Sequence, residues 1–245
     1  MDKMLYITMT GARETSMAQT TAANNLANAK TTAFKSDLAQ FRALPVYGEG
    51  QASRVFTMAE KSGHNFASGN SVSTGRNLDI AIRDHGWFVV QDEQGDELLT
   101  RRGDLKLSPN GELLNGANLP VMGDGGPIAL PPFEKIDIAN DGTITIVPLG
   151  AEANATAIID RIKMVNPDLT TLEKNQNGLF KSNSDEEFVA DAAVTLESGV
   201  LESSNVSVVE ELTNMITLSR QFEIQVKLMS SVEERGRALD RLLQS

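Results

Sequence analysis

The chain has 245 residues, of which 40% are hydrophobic, so it is long enough to bury a sizeable core. It carries 22 Lys and Arg against 33 Asp and Glu, and the net charge of -11 argues against a nucleic-acid partner, which requires a basic surface. Because the chain has no cysteine, disulfides, thiolate metal sites and cysteine nucleophiles are excluded.

The N-terminus lacks the pattern of a secretory leader. Asp2, Thr8 and Arg13 interrupt its apolar residues too often for a signal-peptide core. No other run approaches the roughly 18 consecutive apolar residues of a membrane-spanning helix. We therefore expect neither a cleavable signal peptide nor insertion into a membrane.

Proline and glycine divide the chain into three parts. All eight prolines lie between Pro45 and Pro167, and 15 of the 19 glycines lie between Gly48 and Gly150. Both residue types interrupt helices and favour turns. This distribution predicts helical ends around a turn-rich middle.

The first part is compatible with a helix over residues 3–30. Leu5, Met9, Ala12 and Leu26 fall roughly on one face, and several alanines beside them would let another helix approach closely. From residue 36 to residue 77 glycines are frequent and periodic apolar positions are few. We interpret this second stretch as an extended connecting arm.

From residue 78 the pattern changes to short strands separated by turns. Residues 78–82 alternate, residues 87–90 form an apolar run, and residues 136–138 and 143–147 flank an Asn-Asp-Gly turn typical of a hairpin. Residues 157–165 predict one further strand. The middle of the chain is therefore expected to be an inserted all-β domain.

The last part has the clearest periodicity. Its apolar residues alternate steps of four and three, as in a coiled-coil seam: Val208, Leu212, Met215, Phe222, Val226 and Met229. Ser207, with Glu210 three residues later, could form a capping box at the start of a helix over residues 207–243. A helix of this length needs another surface against which to bury the seam.

Together these patterns predict an α+β chain in which long N- and C-terminal helices form a coiled-coil-like pair, with an inserted all-β domain and an extended connecting arm. The expected boundaries are 1–35 for the first helix, 36–77 for the arm, 78–192 for the all-β domain, and 193–245 for the return segment and second helix.

No group of residues has the spacing of a catalytic, cofactor or metal site. Residues 137–148 lack calcium-loop ligands at the third and twelfth positions, Ala139 and Pro148, so a hairpin turn is the better interpretation. His64 and His85 have no patterned companion. Trp87 is expected in a core and not on a sugar-binding surface, and the acidic residues 92–97 in a solvated turn.

Two stretches near the ends resemble bacterial flagellar axial proteins, specifically the basal-body rod proteins. The first is residues 23–35 (ANNLANAKTTAFK), and the second is residues 198–206 (SGVLESSNV) with the helix after it. Residues 78–82 and 86–90, with Thr100, Arg101 and Gly103 further on, resemble the family's β-domain. The matching motif residues are Asn24, Asn25, Leu26, Asn28, Phe34, Gly199, Leu201, Glu202 and Asn205.

There are two departures from the family pattern. Ala33 and Ser203 stand where glycine is common. A residue with a Cβ at position 33 makes a left-handed turn doubtful there.

The resemblance implies a non-enzymatic structural subunit of the proximal rod, the drive shaft that carries torque across the periplasm. It implies that the terminal helices form the assembly interface, through Leu5, Met9, Ala12, Leu26, Val208, Leu212, Met215, Phe222, Val226 and Met229. The implied partners are further copies, the other proximal rod proteins, the distal rod protein and the flagellar export apparatus. The implied location is the basal body, reached by export without a cleavable signal peptide.

Two alternatives remain at this point. The chain could be the distal rod protein of the same family. From another class, it could be a secreted carbohydrate-active enzyme or a binding module built on the β-domain. The enzyme would need a pair of carboxylates in a cleft, and the sequence nominates none.

Overall fold

The computed structural model describes residues 2–45, 55–59, 63–150, 155–175, 177–183 and 188–243. Within these ranges it has two α-helices, α1 (Asp2–Ala27) and α2 (Val208–Leu243), and otherwise short strands. Neither helix has the length and apolar character needed to cross a lipid bilayer over its described residues.

The chain divides into two compact units. The helical unit consists of Met1–Ala29, Ser36–Asn65 and Val206–Ser245, and the β unit consists of Lys30–Lys35 and Phe66–Asn205. The chain therefore enters and leaves the β unit more than once.

The helical unit contains four strands besides its two helices. They are β1 (Asp37–Leu38), β2 (Phe41–Pro45), β3 (Val55–Ala59) and β4 (Gly63–His64). β1 pairs antiparallel with β4, and β2 pairs antiparallel with β3. Along the chain these four strands lie between the two stretches of the β unit, residues 30–35 and residues 66–205.

The described part of the β unit is built from short antiparallel strands and one 3-10 turn at Leu169–Thr171. The strands are β5 (Ser71–Ser73), β6 (Ile80–Ile82), β7 (Trp87–Gln91), β8 (Glu97–Thr100), β9 (Lys106–Leu107), β10 (Leu113–Leu114), β11 (Met122–Gly123), β12 (Gly126–Pro127), β13 (Phe133–Ile138), β14 (Thr143–Pro148), β15 (Ala157–Arg161), β16 (Met164–Val165), β17 (Leu172–Lys174), β18 (Phe180–Ser182), β19 (Leu196–Ser198) and β20 (Val200–Glu202).

A five-stranded sheet, in the order β16-β7-β8-β18-β17, lies between two apolar clusters. On β7, Phe88 and Val90 belong to the larger cluster, whereas Trp87 and Val89 belong to the smaller one. Successive side chains of a strand point to opposite faces. Since both faces are covered, residues 87–90 of this strand are all apolar and do not alternate with polar residues.

The predicted hairpin is confirmed. β13 pairs with β14 around the turn at Asp141, and β15 adds a third strand. In β14, Ile144 and Ile146 are buried while Thr143 and Thr145 are partly exposed, as expected for a strand with one covered face. The single strand predicted over residues 157–165 is instead two strands, β15 and β16.

The predicted architecture of a coiled-coil-like helix pair with an inserted all-β domain and an extended arm is wrong. The chain is broadly α+β, but its strands form several separate sheets, and residues assigned to the arm form β1 to β5. Residues 46–54 and 60–62 of that segment lie outside the described residues. Glycines in the segment permit close packing: a Cβ at Gly69 would lie 2.0 Å from the carbonyl oxygen of Ser203.

The predicted helix start at Ser207 is confirmed to within a residue. α2 begins at Val208, and the Ser207 Oγ accepts a 3.5 Å hydrogen bond from the Glu210 amide. α1 ends at Ala27, three residues earlier than expected, where the amide of Asn28 donates to the carbonyls of Asn24 and Asn25.

Candidate functional site

Small and polar residues form the buried face of α1. They recur every third or fourth position, as one face of a helix does: Thr8, Ala12, Thr15, Ala18, Ala22 and Asn25. Of the four α1 residues predicted for assembly, Ala12 is buried and Leu26 is partly exposed. Leu5 and Met9 are 37% and 55% exposed.

The partly covered stripe of α2 shares three positions with the predicted seam and differs from it at the others. It consists of Glu211, Met215, Leu218, Phe222, Gln225, Met229 and Val232. Met215, Phe222 and Met229 of the predicted set lie on it. Val208, Leu212 and Val226 are exposed, with Leu212 at 45%.

Polar contacts join the two helices inside the helical unit. The hydroxyl of Thr15 donates to Gln225 Oε1 at 3.3 Å, and a Cβ added at Gly11 would lie 3.0 Å from Gln225 Nε2. The Gln225 side chain therefore lies against α1 at Gly11. Such polar contacts favour one register between helices over others.

Asn25, one of the motif residues, is the second polar link. Its Nδ2 donates to Glu211 Oε1 and to the carbonyl of Asp37, each at 2.9 Å, and its Oδ1 accepts from the Asp37 amide at 2.9 Å. Asn25 is buried, so these bonds satisfy a side chain that water does not reach. One residue thus connects α1, α2 and β1.

Large apolar side chains remain exposed on both helices. They are Leu5, Tyr6, Met9 and Met17 on α1, and Val208, Val209, Leu212, Ile216, Ile224, Val226 and Leu228 on α2. Exposed apolar surface of this kind marks an interaction site in a soluble protein.

Several motif residues shape the loops of the β unit. Gly199 has a φ of +78°, which a side chain rarely adopts, and its amide donates to the carbonyl of Asp79 at 2.7 Å. Leu201 pairs with Val72 in the β20–β5 ladder. The ring of Phe34 lies under Lys174, whose Nζ is 4.0 Å from the ring centroid.

The carboxylate of Glu202, another motif residue, binds two cationic side chains and a backbone amide. Its Oε1 accepts from Lys35 Nζ at 2.6 Å and from the Gly69 amide at 3.0 Å, and its Oε2 accepts from Arg101 Nε at 2.9 Å. The side chains of Lys35, Arg101 and Glu202 are only 1%, 4% and 4% exposed. We call these three residues the Glu202 cluster.

The Glu202 cluster holds two cations and one anion out of water. Burial lowers the pKa of Lys35, and the hydrogen bond from Lys35 to Glu202 acts in the opposite direction. Arg101 also donates to the carbonyls of Ile82, Asp84 and Gly86. These carbonyls compensate part of the solvation that the guanidinium loses.

Ala33 adopts a left-handed conformation, with a φ of +55°. The interpretation that a left-handed turn is doubtful at this position was wrong. Its amide donates to the carbonyl of Glu202 at 2.8 Å. Since the left-handed region costs a residue with a Cβ about 1–2 kcal/mol, this contact and the burial of Ala33 offset the local strain.

The structure shows the surroundings of the residues considered for chemistry. Trp87 is buried against Phe66 and Phe180, which excludes it as a sugar-binding surface. His64 Nδ1 lies 2.9 Å from Asp37 Oδ1, and His85 is exposed. Among the described residues, no three His, Cys, Asp or Glu side chains converge as metal ligands do.

Lys35 and Arg101 were not predicted from the sequence to be partners of Glu202. The three residues are far apart in the chain, so no local spacing links them. The available signal was that each is a charged residue within or beside a stretch resembling the family's motifs.

Two family models of flagellar proteins match this chain, one in each half. A family model described as "Flagellar basal body rod FlgEFG protein C-terminal" matches residues 197–242, and one described as "Flagellar hook protein FlgE/F/G D1 domain" matches residues 81–146. The chain is similar to the flagellar basal-body rod proteins FlgF of Salmonella typhimurium and Escherichia coli, with 37% and 36% identity over 99% of each chain. It is 29% identical to FlgG of Buchnera aphidicola over 97% of this chain and 98% of the relative.

Proposed function

The chain belongs to the FlgF-type flagellar basal-body rod proteins and is a structural subunit of that rod, and we propose that it polymerises through the exposed apolar side chains of α1 and α2. The observation that carries this proposal is the exposure of those side chains on both terminal helices. The neighbours are further copies of the chain and other rod proteins.

The energetics of such an interface are those of apolar burial. A fully buried Leu or Val side chain contributes about 1.5–3 kcal/mol, before the cost of ordering is subtracted. Leu212, Ile216 and Val226 together would therefore contribute several kcal/mol per subunit. Because every subunit repeats the same contacts, a modest gain per interface is sufficient for a long assembly.

We also propose where in the flagellum the subunit acts and how it is delivered there. The assembled subunits form the proximal section of a drive shaft that carries torque across the periplasm. The chain reaches the rod through the flagellar export apparatus, and its role there is structural. Similarity to FlgF at 37% identity, against 29% for the FlgG relative, favours the proximal over the distal rod.

Substitutions on α2 test the proposal. Leu212→Asp places a charge on the exposed apolar surface, and Phe222→Asp places one on the stripe that contacts the rest of the helical unit. Neither variant should restore normal swimming to a strain lacking the chromosomal gene, and rods should be missing from the basal bodies of that strain in electron micrographs.

Gln221→Asp is the matched control, since Gln221 is an exposed polar residue of the same helix. This variant should swim normally. Fluorescence of Trp87, the single tryptophan, reports whether the β unit of each variant is folded. Normal swimming of both Leu212→Asp and Phe222→Asp would refute assembly through α2.

A further inference from the structure

The Glu202 cluster lies where the chain enters and leaves the β unit. The β unit begins at Lys30, is interrupted after Lys35, resumes at Phe66 and ends at Asn205. Its connecting segments are therefore residues 30–35, residues 66–69 and residues 202–205. Any force that the helical unit exerts on the β unit through the backbone passes through these three segments.

Hydrogen bonds to the Glu202 cluster tie all three segments together. The Glu202 side chain binds Lys35 from the first segment and the Gly69 amide from the second, while its own carbonyl accepts from the Ala33 amide. Lys35 Nζ also donates to the carbonyl of Ala67 at 2.9 Å. The third segment contains Glu202 itself.

Further contacts close the arrangement. Asn205 donates through its amide to the carbonyl of Phe34 at 3.2 Å, and through Nδ2 to the carbonyl of Ala67 at 3.0 Å. Arg101 connects Glu202 to the body of the β unit and also donates to the hydroxyl of Ser68 at 3.2 Å. The segments are thus attached to each other and, through Arg101, to the core strands.

We propose that Glu202 is a positioning residue that, with Lys35 and Arg101, fastens the three connecting segments into one attachment point, so that pulling force enters the β unit through this cluster. The inference rests on the proposed role in carrying torque. Charge-assisted hydrogen bonds suit this task because they are stronger than neutral ones and tightly restricted in geometry. A buried cluster is also shielded from water that would otherwise compete for its donors and acceptors.

Single-molecule pulling of the purified full-length protein tests the proposal without the rod. Since the chain has no cysteine, two introduced cysteines give unique attachment points. Lys30→Cys with Ser207→Cys pulls directly on the connecting segments, and Asn110→Cys with Asn140→Cys pulls on two exposed loops elsewhere in the β unit.

Glu202→Gln removes the anion from the cluster and keeps the shape of the side chain. In the first pulling geometry this substitution should raise the rupture rate extrapolated to zero force by roughly 10-fold or more, because bonds to a charged group are lost. In the second geometry the rate should stay within about threefold of the parent protein. Lys35→Met leaves the Arg101–Glu202 pair in place and should likewise raise the rupture rate in the first pulling geometry but not in the second. This variant replaces Glu202→Gln if Glu202→Gln does not fold.

Glu97→Gln is the control for the loss of an ion pair in the β unit. Glu97 forms an ion pair with Lys163, with 2.9 Å between the charged atoms, and neither residue belongs to the connecting segments. It should not weaken the first geometry selectively. An equal increase in rupture rate along both pulling directions, or none in the first, would overturn the inference. Either outcome would leave the proposed assembly through α1 and α2 untouched, since that is measured by swimming and rod formation.

Discussion

Gly103 lies where two segments of main chain meet in the β unit. Its carbonyl accepts from the Ile80 amide at 2.9 Å, and a Cβ at this position would lie 1.8 Å from the carbonyl oxygen of Ile80. The Ile80 oxygen belongs to the backbone, and Ile80 is part of the larger apolar cluster, so this oxygen cannot move aside as the end of a flexible side chain would. Glycine is required here for space and not for an unusual φ.

Gly103→Ala should therefore destabilise the β unit by about 3 kcal/mol. In a protein of this size that corresponds to a fall in Tm of about 6–12 °C. Thermal unfolding followed by Trp87 fluorescence measures the shift. Gly125→Ala is the matched control, because a Cβ at Gly125 meets no atom within 4 Å, and its Tm should change by no more than about 2 °C. Equal Tm values for the two variants would contradict the steric argument.

At the scale of elements, the two helices contact each other through faces of different character. α1 contributes mostly alanine and threonine, whereas α2 contributes a stripe that includes Met215, Phe222 and Met229. Small side chains bury little apolar area, so each turn of contact contributes little free energy. Helices held by such contacts depend on further neighbours for stability.

This weak contact predicts how the monomer behaves in solution. Backbone amides of residues 207–243 should exchange with deuterium far faster than those of β7 and β8, which lie between the two apolar clusters. Hydrogen exchange followed by mass spectrometry on dilute protein gives the comparison peptide by peptide. If α2 were as strongly protected from exchange as β7, the helices would be stably folded in the monomer without neighbouring subunits.

Periodicity predicted both helices and the β13–β14 hairpin, because these elements are specified by residues close together in the chain. It did not predict that Glu211 and Gln225 are among the partly covered residues of α2. These two residues bind Asn25 and Thr15 of α1. A pattern within one helix contains no information about those partners.

The same limit applies to the β1–β4 pair and to the Glu202 cluster. β1 and β4 have two residues each, too few for a periodic signal, and the contact between Asp37 and His64 is created by the tertiary structure. Lys35, Arg101 and Glu202 are brought together by three separate segments. Their burial, which sets the energetic weight of the charges, is a property of the tertiary structure alone.

At the scale of the whole molecule, the apolar core belongs to one unit. Both apolar clusters of the described residues lie within residues 66–205, and Lys30–Lys35 joins the same unit. The described residues of the helical unit bury mainly alanine and polar side chains. Most of the stability of the isolated chain should therefore come from the β unit.

A fragment comprising residues 30–205 should accordingly fold without α1 and α2. Its thermal unfolding, followed by Trp87 fluorescence, should be cooperative, with a Tm within about 4 °C of the full-length protein. The same fragment should fail to restore swimming to a strain lacking the gene. A gradual transition without cooperativity would mean that the helical unit is needed to complete the core.

The contact between Thr15 and Gln225 joins residues 210 positions apart, so the helical unit takes its two helices from opposite ends of the polypeptide. During synthesis the first helix leaves the ribosome long before the second one exists. A product truncated before α2 would carry α1 with its Thr15 face uncovered and would lack the exposed apolar residues of α2 that the proposed assembly requires. Because the second helix is the last element to be synthesised, the helical unit can form only once the whole polypeptide has been translated.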